Sequence, residues 1–328
     1  MSEKMSEVYE AYDMEILGAV RGRGSMILKT DRGIRQISPF DGSEERLEQE
    51  REFKENLYET GFHHIDCCVP NREGELITCD RYGNPYVMRE YFEGRECNPG
   101  SICDLNQAAA NLAIFHIRGR ELYAKEGRTY AYREPGNFRR KTQEMKKIRS
   151  FISKRPTKND FELLYIEAYD AFYRQAIDCQ AMMDACDRTN IAGHIGYCHG
   201  AYNYHSVLFC GGYLATVNFD RFHVGYQLID LYQFIRKVME KNNYNFDMAV
   251  KIIEEYDRIL PLTREDYRYI YILYSYPEKF WKVSNRYMNS RKCWISPANL
   301  EKLSKLITDE QEKQKFLSDF CNHYGFTS

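Results

Sequence analysis

Long apolar segments and a strong net charge are both missing from this 328-residue sequence. No run of eighteen apolar residues occurs, so the sequence predicts no transmembrane helix. The opening stretch MSEKMSEVYEAYDMEIL lacks the apolar core of a signal peptide. The formal net charge of −2 gives no global attraction to nucleic acid or to a membrane surface. We therefore expect a protein that is cytoplasmic when it is made and that binds no nucleic acid.

Paired metal-binding spacings are also missing. The eleven cysteines form no C-x-x-C pair, so we expect free thiols in a reducing compartment and no confident metal site. Cysteines and histidines do gather in one segment, and a zinc site is one interpretation of it. The other is a buried strand and loop rich in these residues, which the absence of paired spacing favours. The residues concerned are His194, Cys198, His199, His205 and Cys210.

The first ninety residues have the pattern of short strands and turns. The stretches MEILGAV, SMILKT, IRQISPF, IDCCVP, ELITCD and PYVMREYF alternate or run apolar between glycine-rich and polar turns. One helix interrupts them, with Ser43 as its N-cap and Gly61 as its stop. The pattern predicts a five-stranded antiparallel sheet with a helix inserted after the third strand.

Helical periodicity begins near Gly94 and continues to the end of the chain, interrupted only by the short strands predicted around HGAYNYHSVLF and VNFD. A basic helix is expected to stop at Pro156, and the next helix to open at Asn159 with Glu162 completing a capping box. The sequence therefore predicts an α+β protein of two lobes. Residues 1–93 form a small β-rich lobe and residues 94–328 a larger, mainly helical one.

Two neighbouring stretches have the outline of a phosphotransferase site. In such sites, an H-x-D-x-x-x-x-N loop supplies a base and a metal ligand, and a later Asp after an apolar strand binds metal. A glycine-containing turn covers the ATP phosphates, and a lysine held by a glutamate pairs with their charge. The corresponding stretches here are HGAYNYHSVLF, VNFD and RGRG.

These stretches, in their order along the chain, resemble the CotS-type spore-coat family within the aminoglycoside phosphotransferase and choline kinase superfamily. The resemblance covers nearly the whole chain and implies a bilobal protein-kinase-like fold with a link to endospore coat assembly. Its most family-specific segments are LIDLYQFIRKVMEKNNYN and YPEKFWKVSNRYMNSRKCW. The other matching segments are RGRGSMILKTDRG, FDGSEERLEQE, YFEGREC, HGAYNYHSVLF and VNFDRF.

Carried over position by position, the resemblance implies that the charged active-site groups are missing. The third-strand lysine falls at Ser38, and Lys29 does not replace it because it lies on the second strand. The catalytic acid falls at Ala201, the loop asparagine at Ser206 and the metal-binding aspartate at Asn218.

Other positions of the pattern survive. His199 and Gly200 open the loop, and Gly22 and Gly24 belong to the degenerate nucleotide-binding turn. Asp230 matches an acid that supports the loop backbone in the family; the alternative is a charge at a helix N-terminus.

The helix after the third strand offers glutamates that a lysine could pair with. Without that lysine, we expect all of them to be solvated. They are Glu48, Glu50, Glu52 and Glu55.

Two functions follow from this pattern. The first is a catalytically inactive kinase-like protein that acts as a binding or scaffold component in endospore coat assembly. The second is an active small-molecule or protein phosphotransferase with a rearranged site, using ATP and Mg²⁺, with Asp220 as the sole metal ligand and His199 or His205 as base. Whether the chain is an enzyme stays open, with the first function favoured.

Partners are expected among other spore-coat or assembly proteins. The predicted helix between Arg139 and Arg155 adds a third possibility, because it carries eight basic residues and the single acid Glu144. Such a face is either a solvated surface or a contact for an anionic partner.

Overall fold

The computed structural model describes residues 6–22, 24–127, 137–186, 192–289 and 297–326. The chain divides into two compact units: unit 1 comprises residues 1–128 and 196–225, and unit 2 comprises residues 129–195 and 226–328. The predicted boundary between residues 93 and 94 stays a prediction. The end of one family-specific segment, residues 290–294, lies outside the described residues.

A five-stranded antiparallel sheet opens unit 1, as the sequence predicts. Its order is β1-β2-β3-β5-β4. The strands are β1 (Ile16–Arg21), β2 (Met26–Thr30), β3 (Gly33–Pro39), β4 (Ile77–Cys79) and β5 (Pro85–Glu90).

The stretch IDCCVP is not the strand that its composition predicts. Only isolated bridges form there, from Ile65 to Thr216 and from Cys68 to Arg89. The amide of Cys67 bonds to the carbonyl of Ile65 at 2.9 Å, which is a tight turn that interrupts a ladder.

Each face of the sheet packs against one helix. Because side chains alternate along a strand, Ile37 and Met88 face one side, where they pack with α1 (Ser6–Glu10). Val87 faces the other side and packs on Leu47 of α2 (Glu44–Glu59). Ser43 accepts the amide of Arg46 as the predicted N-cap of α2, and Gly61 follows its end with a φ of +92°.

The rest of unit 1 is one long helix and short strands. The helix α3 (Ile102–Glu126) begins at the N-cap Ser101 and ends at Gly127 in the left-handed conformation. The strands are β6 (Arg95–Glu96), β7 (Ile195–Cys198), β8 (Val207–Cys210), β9 (Tyr213–Thr216) and β10 (His223–Tyr226), paired as β6-β8-β9 and β10-β7.

Unit 2 is helical. Asn159 and Glu162 form the predicted capping box, and the preceding helix ends at Lys154, before Pro156. The helices are α4 (Phe138–Lys154), α5 (Asp160–Asp184), α6 (Leu228–Met239), α7 (Phe246–Ile259), α8 (Arg264–Ser275), α9 (Glu278–Met288), α10 (Pro297–Thr308) and α11 (Glu310–Tyr324). The predicted α+β architecture, with a small antiparallel sheet followed by a larger helical region, is confirmed.

None of the helices in the described residues is long and apolar enough to cross a membrane.

Candidate functional site

A cleft of about 640 Å³ in unit 1 is lined by four of the positions that the sequence pattern singles out. Gly24 lines it from the β1–β2 turn, and Ser38 lines it from β3. Asn218 and Asp220 line it from the segment after β9. Gly22 belongs to the same turn as Gly24, and its amide bonds to the carbonyl of Ser25 at 2.9 Å.

The cation of the cleft comes from the fifth strand. Ser38 pairs with Val87 across the sheet, and Gln36 pairs with Arg89, so all four side chains share one face. Lys29 is exposed on β2 and is not among the residues that line the cleft. The basic group missing at Ser38 is therefore present two residues further along the same sheet face, on the neighbouring strand. Sequence reasoning missed it.

Arg89 is bound to Glu50 of α2. Its Nε and Nη2 donate to the two carboxylate oxygens of Glu50 at 3.0 and 3.2 Å, and Nη2 lies 3.3 Å from Oδ1 of Asp220. Both Arg89 and Glu50 are 3% exposed. The expectation that all four helix glutamates are solvated is therefore wrong for Glu50, because a cation from another strand pairs with it. Glu48, Glu52 and Glu55 are exposed as expected.

A second buried cation completes this ion network. Nζ of Lys54 lies 2.6 Å from Glu50 and 2.8 Å from Oδ1 of Asp66, and Lys54 is fully buried. Burial alone would raise the pKa of Glu50, but Lys54 and Arg89 outweigh it and lower that pKa to about 2. Burial raises the pKa of the Asp66 carboxyl, against the opposing charge of Lys54. We call Glu50, Lys54, Asp66 and Arg89 the buried tetrad.

The loop that begins at His199 is held by its own hydrogen bonds. The ring nitrogen Nε2 of His199 lies 3.1 Å from the carbonyl of Val217, and Nδ1 accepts the amide of Ala201 at 3.2 Å. His199 is fully buried. With both ring nitrogens engaged, His199 serves the loop's conformation and is not placed as a general base.

Glycine is required at the next position. Gly200 has a φ of +77°, and a Cβ there would lie 2.0 Å from the carbonyl oxygen of Arg221. The loop and the segment after β9 therefore touch through backbone atoms at this point.

The rest of the loop is a closed turn. Ala201 supplies only a methyl group where the pattern has its acid, and its carbonyl accepts Nδ2 of Asn203 at 2.6 Å. Ser206 is 1% exposed, and its hydroxyl both accepts the amide of Asn203 and donates to that residue's carbonyl. Ser206 therefore closes the turn from within.

Asn218 has a left-handed backbone, with a φ of +70°. Asparagine is one of the few residues other than glycine that adopt this conformation readily. The amide of Asn218 donates to Oδ2 of Asp66 at 2.7 Å, so the buried tetrad fixes the backbone here. Asp220, two residues later, keeps 67% of its side chain exposed while it pairs with Arg89.

The histidines of the zinc interpretation have separate partners. His205 Nδ1 lies 2.5 Å from Glu96, and in unit 2 His194 Nε2 lies 3.0 Å from Asp266. The Cys198 thiol approaches the carbonyl of Gly196 at 3.7 Å, and Cys210 packs in an apolar cluster. Within the described ranges, no three or more His, Cys, Asp or Glu side chains are placed to hold a metal ion.

Asp230 lies in unit 2, in the first turn of α6, and is 1% exposed. Its predicted role in supporting the loop stays a prediction, beside the alternative of a charge at a helix N-terminus.

Four of the eight basic residues from Arg139 to Arg155 form ion pairs within unit 2. Arg139 pairs with Asp184, Arg140 lies 3.8 Å from Glu144, and Arg155 pairs with Glu162. Lys141 is buried and pairs with Glu278 at 2.6 Å. The exposed lysines are Lys146, Lys147 and Lys154.

The comparison with protein families decides the chain's membership. The family described as "Spore coat putative kinase YutH" matches residues 5–320. The chain belongs to this family. The resemblance to spore-coat kinase-like proteins is thereby confirmed. Spore coat protein S of Bacillus subtilis (strain 168) is 29% identical over 97 residues, which are 29% of this chain and 28% of that protein.

Solved structures place the YutH-type fold among phosphotransferases. An aminoglycoside phosphotransferase from Alicyclobacillus acidocaldarius superposes with a TM-score of 0.77 at 16% identity, over 96% of this chain and 95% of its own. A spectinomycin phosphotransferase in complex with ADP and spectinomycin superposes with a TM-score of 0.65 at 10% identity, over 94% and 97%. At these identities, the likeness concerns the fold alone.

Proposed function

We propose that this chain is a spore-coat protein with a kinase fold that works by binding other components of the coat and not by phosphoryl transfer. One observation carries the proposal: the cleft's deepest cation, Arg89, is bound on two sides by Glu50 and Asp220. A guanidinium held in this way has few donors left for a phosphate group.

The missing catalytic groups support the same conclusion. Ala201 has no proton acceptor in its side chain, and absence of a general base costs about 10²–10⁴ in rate. Asn218 offers Mg²⁺ an uncharged oxygen, and Asp220 offers a carboxylate that Arg89 already neutralises. The residues present therefore do not fit a magnesium–nucleotide complex.

Nucleotide titration tests the proposal directly. The melting temperature of the full chain is measured with ATP alone, with ATP and Mg²⁺, and without ligand, because a ligand that binds only the folded state raises it. We expect no Mg²⁺-dependent rise for the parent chain. The comparison variant carries Ala201→Asp and Asn218→Asp, which restore two carboxylates at the pattern's positions.

A turnover assay supplies the opposing outcome. The chain is incubated with Mg-ATP and a panel of small-molecule and protein acceptors, and phosphate transfer is measured. Transfer by the parent chain that Asp220→Ala abolishes would overturn the proposal and support the rearranged phosphotransferase. Nucleotide binding without metal and without turnover would point to a coat component that senses nucleotide.

The coat role has its own test in the spore-forming host. Spores from a strain lacking the gene are compared with spores from a strain that carries Asp220→Ala. A binding component predicts that the Asp220→Ala strain assembles its coat as the parent does. A coat defect equal to that of the deletion, with the variant protein present at normal level, would contradict it.

A further inference from the structure

One face of α2 is tied to the segment after β9. Nη2 of Arg46 donates to the carbonyl of Asp220 at 2.9 Å. One turn further along the helix, Glu50 reaches Asp220 through Arg89. The ring of Phe53 stacks on Phe222 with centroids 5.4 Å apart and planes 7° apart.

The next residue of the helix, Lys54, adds an ion pair. Lys54 binds Asp66, and Asp66 in turn accepts the amide of Asn218. Lys54 also lies 5.0 Å from the centre of the Phe219 ring. The contacts of α2 with residues 218–222 thus extend along the helix from Arg46 to Lys54.

Two carboxylates converge on one atom of Arg89. Oε2 of Glu50 and Oδ1 of Asp220 lie 3.2 and 3.3 Å from the same nitrogen, Nη2. A divalent cation binds carboxylate oxygens at about 2.0–2.6 Å, so an inward movement of about 1 Å by each oxygen would convert this arrangement into metal coordination.

We propose that Arg89 is a built-in cation that takes the place of a divalent metal ion in this cleft. Its guanidinium pairs with both Glu50 and Asp220 and so holds α2 against residues 218–222 without metal or nucleotide. The charges around it agree with this role. Three carboxylates, those of Glu50, Asp66 and Asp220, face two cations, Lys54 and Arg89, so one negative charge is uncompensated in the parent chain. Without Arg89 two negative charges are uncompensated, which is the charge that one divalent ion would balance.

This proposal deepens the proposed function and rests on it in one respect, namely that the parent cleft does not use a metal. Its consequence is specific. Removal of the arginine should create a metal requirement that the parent chain does not have, because the two carboxylates then repel each other until a cation returns.

The test is a metal titration of the full chain without nucleotide. Melting temperatures of the parent, Arg89→Ala and Arg221→Ala chains are measured in EDTA and in rising Mg²⁺, Mn²⁺ or Ca²⁺. Arg221→Ala is the matched control, because Arg221 also lines the cleft but lies outside the buried tetrad. We expect Arg89→Ala to melt lower than the parent in EDTA and to regain part of the difference, saturably, with metal. The parent and Arg221→Ala should not respond.

Two more variants keep the test decisive. Arg89→Gln keeps a hydrogen-bond donor near Glu50 without the charge, and it replaces Arg89→Ala should that chain fail to fold. The double variant Arg89→Ala, Asp220→Asn should lose the metal response, since one of the two carboxylates is gone. Metal stabilisation of the parent, no stabilisation of either Arg89 variant, or an equal response in Arg221→Ala would overturn the proposal.

The failures of the two proposals are distinguishable. The metal titration contains no nucleotide and no phosphate acceptor, so its result depends only on the charge balance around Arg89. Turnover found in the phosphate-transfer assay overturns the binding function, whereas an unresponsive Arg89→Ala chain overturns only the built-in cation.

Discussion

Arg89 and Glu50 form a two-point ion pair between the fifth strand and helix α2, with distances of 3.0 and 3.2 Å. The pair joins elements 39 residues apart and has almost no exposure to water. Its geometry is that of planar arginine–carboxylate recognition, in which both partners are oriented as well as neutralised. The pair therefore fixes where α2 lies on the sheet.

Loss of the second buried cation should destabilise the fold strongly. Lys54→Met removes the cation that pairs with the buried carboxylates of Asp66 and Glu50, and we expect a loss of about 3–5 kcal/mol in the free energy of unfolding. The control is Arg51→Met on the same helix, where the exposed arginine pairs with Glu48. Arg51→Met should change the free energy of unfolding by less than about 0.5 kcal/mol. Urea denaturation measures both, and equal losses would contradict the prediction.

Stability should also depend on Glu50 at acid pH. The pKa of Glu50 is about 2 in the folded chain, against 4.5 for an unperturbed glutamate. The contribution of Glu50 to the free energy of unfolding is therefore complete above about pH 4.5 and is lost as the pH falls toward 2. The size of this contribution is about 3 kcal/mol.

Urea denaturation over that pH range checks the sign. Glu50→Gln should remove this part of the fall in stability, whereas Glu48→Gln, at an exposed position, should keep it. Burial raises the pKa of Asp66, which contributes with the opposite sign, and the charge of Glu50 adds to that rise. Glu50→Gln therefore also reduces the opposing contribution of Asp66. A Glu50→Gln chain with the parent's pH profile would rule this account out.

A side chain at position 200 should be poorly tolerated. Gly200→Ala combines a left-handed φ with a Cβ placed 2.0 Å from the carbonyl of Arg221, and we expect a loss of about 2–5 kcal/mol. Gly211→Ala is the control, because its φ of +55° is also left-handed but no atom lies within 4 Å of the added Cβ. It should lose about 1–2 kcal/mol. Thermal melts compare the two variants. A loss at position 200 that is smaller than the loss at position 211 would show that the backbone moves to accommodate the added Cβ at little cost.

The lysines of α4 should separate into structural and surface groups. Lys141→Met removes one of two lysine partners of the buried Glu278, the other being Lys282 at 3.2 Å, and about 1–3 kcal/mol should be lost. Lys146→Met, at an exposed position of the same helix, should change the free energy of unfolding by less than about 0.5 kcal/mol. A stable Lys141→Met chain would contradict this division. Tests of an anionic partner should therefore use Lys146, Lys147 and Lys154 and leave Lys141 unchanged.

Local signals along the chain were sufficient for much of the fold. Ser43, Asn159 and Glu162 cap the helices that their spacing predicts, since a cap depends only on residues within one turn. The stretch IDCCVP was wrongly predicted to be a strand, because its apolar composition suits one. The hydrogen bond from the amide of Cys67 to the carbonyl of Ile65 turns the chain there instead.

The buried charges of the cleft were harder to predict from the sequence, because their burial depends on contacts between distant segments. One signal was available on α2: Leu47, Glu50, Lys54 and Leu57 follow helical spacing, and the two charged residues lie within an otherwise apolar stripe. Such a stripe predicts a buried pair. Nothing near Arg89 in the sequence indicates that it reaches Glu50, since only strand pairing brings it beside Ser38 and Gln36.

The left-handed backbone of Asn218 has a consequence for how this protein family can change. Aspartate and asparagine share a tolerance for that conformation, so an exchange between them at position 218 alters charge while the main-chain path is preserved. One of the four missing groups can thus be lost or regained at position 218 in a single exchange that leaves the backbone conformation as it is.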